Sequence, residues 1–248
     1  LLGAFLWSLT NISWGGPIIH TGGGSSAIQF LTALFPPDFS PDFLTIAFKA
    51  TWQTITYAVA GITLAVAIGL PLGIIASGTV LKESSHWRTP LVAGTRLLLG
   101  GLRAVHELVW AVLLVAAIGL SPVAAIIALA LPYAGILGRI YAELLQDVPQ
   151  QPLQALRAAG ASPLRVLLYG YLQMALPDML GYSFYRFECG IRAAAILSFV
   201  GIPGLGFQIQ LSMHDLLFNQ VWTLLMFLVA LIVLVDMWST RVRRSLLA

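Results

Sequence analysis

The chain has 248 residues, of which 58% are hydrophobic and only 9% are charged, and its formal net charge is +3. A soluble domain would carry about a quarter charged residues. A helix needs roughly 20 mostly apolar residues to cross a bilayer. Five long runs lack any acidic or basic side chain: 1–37, 50–81, 108–138, 193–214 and 216–235. This composition excludes a soluble protein and predicts that residues 1–248 form one domain within the lipid bilayer.

Turn-forming residues divide the chain into predicted helices. Residues 1–14 are too short to span a bilayer and lack the basic start of a signal peptide, so we interpret them as the end of a longer, incomplete first span. Further spans are predicted at about 49–77, 91–118, 122–145, 163–200 and 216–238. No run shows the alternation of a membrane β-strand, so the predicted fold is an all-α, polytopic bundle of about six spans. The stretch GIPGLG, residues 201–206, is predicted to be a flexible extracytoplasmic turn near a gate.

Basic residues are distributed unevenly between the two sets of loops. The loops at 15–44, 119–122 and 201–215 contain no lysine or arginine. The loops and terminus on the other side contain seven: Lys82, Arg88, Arg157, Arg165, Arg241, Arg243 and Arg244. Since basic residues favour the cytoplasmic side, the seven predict a multi-pass protein with both termini in the cytoplasm. The positive net charge follows from this bias, so we infer no nucleic-acid partner from it.

Residues suited to catalysis or metal binding are sparse. The chain has one cysteine, Cys189, and four histidines far apart in sequence. It contains no HExxH, GxSG or GxxxxGK[ST] pattern. We therefore predict no metal site, no cofactor bound by this chain and no enzymatic activity. An intramembrane enzyme is the weakest of the functional alternatives.

The segment LQALRAAGASPLRVLL, residues 153–168, is a basic interruption between two apolar stretches. Its predicted apolar face comprises Leu153, Leu156, Gly160, Leu164 and Leu167, with Arg157 and Arg165 on the other side. Gly160 suits the residue that follows a helix, and Ser162 and Pro163 suit the start of the next one. The residues alone leave two interpretations open. The short helix either rests on lipid head groups or inserts into a cytoplasmic partner protein.

Two longer segments carry a family resemblance. ELVWAVLLVAAIGLSPVAAIIALALPYAGILGRIYAELLQ (107–146) and YRFECGIRAAAILSFVGIPGLGF (185–207) resemble the phosphonate-type ABC importer permeases, and the likeness extends over most of the chain from Phe35 onward. Gln154-Ala155-Leu156, followed by Gly160, is similar to the EAA loop that docks these permeases onto their ATPase subunits. Three positions depart from the family pattern: Gln154 replaces the usual acidic residue, Gln173 replaces a common proline, and His106 stands where this family often has proline.

The resemblance implies the type I importer permease architecture, with a cytoplasmic coupling helix at about 148–162. It assigns ATPase coupling to five residues: Gln154, Ala155, Leu156, Arg157 and Gly160. It implies a homodimer in a bacterial inner membrane, separate ATP-binding subunits that hold ATP and Mg²⁺, and an extracytoplasmic substrate-binding protein. The expected cargo is phosphonate, phosphite or a similar small oxyanion moving inward. A sulfonate or another oxyanion stays open, as does a secondary transporter that needs no ATPase.

Charged residues within predicted spans are candidates for function. Three opposite-charge pairs lie four residues apart, where helical neighbours interact: Arg103 with Glu107, Arg139 with Glu143, and Glu188 with Arg192. Such pairing serves either to neutralise buried charge or to build a substrate path, and the sequence does not separate the two.

Arg186 differs from these pairs because no acidic residue shares its helix face. Its guanidinium offers a planar set of donors that matches a phosphate-like oxyanion. The candidate translocation path therefore comprises Arg186, Glu188 and Arg192. The competing interpretation is a structural ion pair between Arg186 and either Glu107 or Glu143.

Overall fold

The structure is a computed structural model that describes residues 2–11, 23–79 and 86–247, with side chains through residue 245. The described residues form helices and no strands, which confirms the all-α fold. The helices are α1 (Leu2–Thr10), α2 (Gly23–Thr32), α3 (Pro41–Ser77), α4 (Arg88–Ala104), α5 (Glu107–Ile118), α6 (Pro122–Gln146), α7 (Gln150–Ala158), α8 (Pro163–Val166), α9 (Leu172–Leu197), α10 (Leu205–His214) and α11 (Phe218–Leu247). A π-helical turn, Leu167–Tyr171, joins α8 to α9.

Three of these helices, α3, α6 and α11, are long and apolar enough to cross a membrane unbroken. Two bent combinations, α4 with α5 and α8–α9 with α10, raise the number of spans to as many as five. Residues 1 and 12–14 of the predicted first span lie outside the described residues. The same holds for residues 82–85 of the predicted loop that contains Lys82 and Arg88. The described helices therefore support a polytopic bundle of three to five spans.

The core of the bundle is the contact between α3 and α6. Residues meet in the same order along both helices, with Gly61 against Leu129 and Gly73 against Gly138, so the helices run parallel. A Cβ atom on Gly73 would lie 2.7 Å from the carbonyl oxygen of Gly138. Small residues let membrane helices approach this closely, and the contact then rests on van der Waals packing. The two helices form the rigid frame on which the other elements pack.

The predicted span at 91–118 is broken into two helices rather than straight. α4 ends at Ala104, and α5 leaves at an angle of 86°. His106 has an extended backbone, and its Nδ1 accepts a 3.3 Å hydrogen bond from the amide of Leu108, so it caps α5. The break also removes the predicted pair between Arg103 and Glu107. The Glu107 carboxylate instead lies 3.7 Å from Nε2 of His106.

Residues 201–206 form a tightly packed break rather than the predicted flexible turn. Ile202 and Leu205 are fully buried, and the amide of Leu205 donates a 3.0 Å hydrogen bond to Oγ1 of Thr54 on α3. A Cβ atom on Gly206 would collide with the carbonyl oxygen of Ala195. This break joins α9 to α10 against the middle of α3, so it is held in place by the core helix.

The loop before α3 is tied to the start of α11 through Asp38. Its carboxylate accepts hydrogen bonds from the amide of Ser40 at 3.0 Å and from Nε2 of Gln220 at 3.2 Å, while Oγ1 of Thr223 donates to its carbonyl oxygen. The hydrogen bond from the Ser40 backbone is the main cause of a lowered Asp38 carboxyl pKa. These contacts fix the end of the bundle opposite to α7.

Candidate functional site

α7 ends in the motif that the sequence predicts. Gly160 has a φ of +80°, in the left-handed region that glycine adopts without a steric penalty. The amide of Gly160 donates to the carbonyl of Arg157 at 3.0 Å, and the amide of Ala161 donates to the carbonyl of Leu156 at 3.1 Å. This pair of bonds is the Schellman motif. α8 then begins with Pro163 in its first turn, as predicted.

The apolar side of α7 packs on the chain itself. Leu153 is fully buried, and its side chain lies so close to Gly170 that a Cβ atom there would meet it at 2.5 Å. Leu156 is half-buried beside the same glycine. Gly170 lies in the π-helical turn that follows α8. The predicted apolar face is wrong at Gly160, which is exposed. It is also wrong at Leu164, which is 60% exposed because the chain restarts in a new helix after Gly160.

The outward side of α7 carries most of the predicted coupling residues. Gln154, Ala155 and Gly160 are exposed, and a Cβ atom added to Gly160 would have no neighbour within 4 Å. Arg157 is also exposed but donates a 3.3 Å hydrogen bond from Nη2 to the hydroxyl of Tyr171. The exposed side of α7 therefore combines small residues with Gln154. Arg157 lies beside them and is held in a defined position by its hydrogen bond to Tyr171.

Of the predicted charge pairs, the pair on α6 forms. Nε of Arg139 donates to the Glu143 carboxylate at 2.8 Å, and both side chains are about half exposed. The predicted pair of Glu188 with Arg192 is wrong. The buried Glu188 carboxylate accepts a 2.9 Å bond from Nη2 of Arg243 on α11 instead. Spacing along one helix could not reveal this partner, since it comes 55 residues later in the chain.

Arg192 faces a cavity between α9 and α11. The cavity has a volume of about 270 Å³ and is lined by Glu188, Arg192 and Asp236 together with apolar residues of α11. Glu188 and Arg192 therefore share this cavity although they form no ion pair. Asp236 supplies a second carboxylate on the opposite wall, so the cavity itself carries no excess of positive charge.

Arg186 has no carboxylate partner among the described residues. Its guanidinium carbon lies 5.5 Å and 5.6 Å from the ring centres of Tyr182 and Tyr185. Its Nε atom is buried and has no hydrogen-bond partner in the described part of the chain. The predicted alternatives Glu107 and Glu143 interact with His106 and Arg139 instead. Aromatic faces attract a cation but leave the guanidinium donors of Arg186 available.

Tyr133 on α6 is a site residue that the sequence analysis did not identify. It is buried, and it packs opposite Gly190 of α9, where a built Cβ atom would lie 4.0 Å from its ring. The one signal in the sequence is an aromatic hydroxyl within a run of alanines and leucines. Tyr133 thus packs α6 against α9 at Gly190, four residues along the chain from Arg186.

The fold is that of an ABC importer membrane subunit. The MetNI methionine ABC transporter, in an inward-facing conformation, contains a chain that superposes with a TM-score of 0.72 at 22% identity. The match covers 84% of this chain and 99% of that one. Residues 69–247 match the family described as the binding-protein-dependent transport system inner membrane component. The chain belongs to this family.

Two curated relatives give the likeness more detail. The phosphite transport system permease protein PtxC of Stutzerimonas stutzeri is 33% identical over 210 residues, which cover 84% of this chain and 74% of the relative. The putative phosphite transport system permease protein HtxC of the same organism is 28% identical over 219 residues, covering 88% and 75%. These matches confirm the predicted resemblance to phosphonate-type permeases.

Proposed function

We propose that this chain forms the translocation path of an ATP-driven importer that moves phosphite, phosphonate or a similar small oxyanion into the cell. The names of the relatives PtxC and HtxC support this class of cargo. The observation that carries the proposal is Arg186, whose buried Nε lacks a partner within the described residues. A buried donor of this kind is costly unless it finds an acceptor, and an oxyanion in transit supplies one.

The nearby carboxylate of Glu188 does not oppose this assignment. Glu188 is already bound to Arg243, so its charge is compensated and does not repel the cargo. In this proposal Arg186 contacts the anion, Tyr133 offers a hydroxyl donor, and Arg192 adds positive charge. Glu188 then serves to anchor α9 to α11 rather than to weaken anion binding.

α7 is proposed to be the coupling helix for a separate ATPase. Its leucines face the chain, with Leu153 fully buried, so the helix has no free apolar face to rest on lipid. Its outward surface carries Ala155 and Gly160 together with the longer side chains of Gln154 and Arg157. A protein groove can approach closely at Ala155 and Gly160, where no bulky side chain intervenes. In this proposal the ATPase subunits hold ATP and Mg²⁺. Leu156 packs α7 against Gly170, and Arg157 fixes it to Tyr171 by a hydrogen bond.

The remaining partners follow from the family and from charge. The basic loops support a cytoplasmic position for α7 and both termini, and the family description names a binding-protein-dependent system. A binding protein therefore delivers the anion at the opposite end of the bundle, near Asp38. One chain of this size encloses only half of a path, so a second permease copy completes it as a homodimer.

Co-purification combined with uptake tests the proposal. Affinity-tagged permease extracted from its native membrane should retain an ATPase, and vesicles holding the complex should take up labelled phosphite or methylphosphonate with ATP. Gly160→Val should lose the ATPase because valine does not tolerate a φ of +80°. Gly94→Val is the matched control, since Gly94 lies within α4 with nothing near a built Cβ atom. Retention of the ATPase by Gly160→Val, with coupled uptake, would contradict the assignment of α7.

A further inference from the structure

A polar cavity lies where α3 ends between α4 and α6. Its volume is about 280 Å³, and its polar lining consists of Arg96, Arg139, Glu143 and Gln146. A water molecule occupies about 30 Å³ in the liquid, so the cavity has room for a group much larger than water. Two arginines and one glutamate leave it with a formal excess of one positive charge.

Each of the two arginines is fixed by a hydrogen bond from its Nε atom, which leaves its two terminal nitrogens available to a ligand. Nε of Arg96 donates to the carbonyl of Ala76 at 3.0 Å, and Nε of Arg139 donates to Glu143 at 2.8 Å. The terminal nitrogens of these two side chains have no hydrogen-bond partner within the described part of the chain. Each guanidinium is thus fixed through Nε, and both arginines line the same cavity with their terminal N–H donors available.

The cavity shares an end of the bundle with α7. Nε2 of Gln146, the last residue of α6, donates to the carbonyl of Ser77, the last residue of α3, at 2.9 Å. Only three residues separate Gln146 from the start of α7. Beside Arg96, Leu97 and Leu98 are 78% and 51% exposed, as expected for a surface that meets hydrocarbon. Basic side chains therefore meet an apolar outer surface at this end.

We propose that this cavity binds a phosphate group, with Arg96 and Arg139 as its donors. Guanidinium groups offer planar sets of donors that match the oxygens of a phosphate, and two of them line this cavity. Basic pockets between membrane helices are known to bind anionic lipid head groups on the cytoplasmic side. The same chemistry would hold the head group of an anionic phospholipid or inorganic phosphate. The site is separate from Arg186 and does not depend on the transported substrate.

Titration of the purified full-length permease with three probes tests the site and identifies the source of the phosphate group. The probes are dioctanoyl phosphatidylglycerol, dioctanoyl phosphatidylcholine and inorganic phosphate, with binding measured by native mass spectrometry and by the shift in Tm. A basic residue that contacts an anionic head group contributes about a fivefold gain in affinity for the lipid. Arg96→Gln/Arg139→Gln should therefore bind phosphatidylglycerol about 25-fold more weakly than the wild type. Arg244→Gln, which removes an exposed arginine outside the cavity, is the control and should bind normally.

Glu143→Gln provides a test of opposite sign. Removal of this carboxylate raises the charge of the cavity and frees Arg139, so phosphatidylglycerol should bind several-fold more tightly, an effect that misfolding would not produce. Selective loss of the phosphatidylglycerol response in the double variant identifies a lipid site, and selective loss of the phosphate response identifies a site for the free anion. Equal responses of the double variant and Arg244→Gln to every probe would overturn the proposal. So would unchanged or weaker binding by Glu143→Gln.

Discussion

Glu188 on α9 and Arg243 on α11 form a 2.9 Å ion pair in which the Glu188 side chain is buried and the Arg243 side chain is 28% exposed. Arg243 also donates to the hydroxyl of Thr240 at 3.4 Å, which helps to fix its side chain. The pair joins two helices that are far apart in sequence. It lies two residues from Arg186, so it also sets the position of α9 beside the proposed anion path.

Removal of Arg243 should destabilise the protein. Arg243→Gln leaves the Glu188 carboxylate buried and uncompensated, which costs about 3 kcal/mol, the lower end for a buried pair because Arg243 keeps some solvent contact. Thermal unfolding in detergent should show the loss, and the double variant Glu188→Gln/Arg243→Gln should recover most of it. Arg241→Gln, at an exposed neighbouring position, should be nearly neutral. Equal destabilisation by Arg192→Gln would instead favour the sequence-predicted pair.

Features set by local interactions could be predicted from the sequence. The end of α7 at Gly160, the restart at Pro163 and the pair of Arg139 with Glu143 each depend on residues at most a few positions apart. The partner of Glu188 could not be predicted in this way. A helix offers its charged residues neighbours four positions away, but the tertiary structure brought Arg243 closer than Arg192.

The bend at His106 should depend on its capping hydrogen bond. His106→Ala removes the acceptor for the amide of Leu108, and the loss of a cap costs about 1 kcal/mol. His106→Asn supplies another short acceptor and should restore most of the stability. The free energy of unfolding of the three proteins, measured in the same detergent, checks this order. Equal stability of His106→Ala and the wild type would show that tertiary packing alone holds the bend.

Gly206 should be intolerant of even one added methyl group. In Gly206→Ala the new carbon meets the carbonyl oxygen of Ala195, and relief of such overpacking costs about 1–3 kcal/mol. Gly101→Ala is the matched control because nothing lies within 4 Å of a built Cβ atom there and alanine favours the helix. The control should therefore be neutral or slightly stabilising in thermal unfolding. A stable Gly206→Ala protein would contradict the tight contact between α9 and α10.

The packed break at residues 201–206 illustrates a second limit of sequence-based prediction. Four of the six residues are small or turn-forming, a pattern typical of an exposed loop. The same small size lets Gly206 approach the Ala195 carbonyl, and Thr54 supplies an acceptor for the Leu205 amide from a helix 151 residues earlier. Local composition indicates that the chain turns at this point but does not show what packs against the turn.

The contribution of Asp38 to stability should depend on pH. Its hydrogen bonds, that from the Ser40 amide first, lower the carboxyl pKa below its ordinary value of 3.8, so the ionised form is favoured in the folded protein. The stabilisation is present above the unfolded pKa and is lost as pH falls through the lower, folded pKa. Asp38→Asn should therefore reduce Tm at pH 6, and its difference from the wild type should shrink as pH falls below about 4. A difference that stays constant over this range would show that the charge is not involved.

Arg186→Gln should lower oxyanion uptake while the protein remains stable. No carboxylate among the described residues depends on Arg186 for its charge balance, so its removal leaves no buried acid uncompensated. If it binds the anion, loss of a charged hydrogen-bonding partner should weaken binding by about 1.5–3 kcal/mol, which corresponds to roughly a 10- to 150-fold higher KM for uptake.

Arg186→Lys should recover only part of the uptake, because lysine keeps the positive charge but loses the planar set of donors. Tyr133→Phe should give a smaller increase in KM, since it removes one neutral hydroxyl and leaves the charge in place. Thermal unfolding and ATPase co-purification, measured on the same preparations, distinguish a loss of anion binding from a loss of stability or of ATPase association. An Arg186→Gln protein that loses stability together with uptake would show a structural arginine held by its two tyrosines.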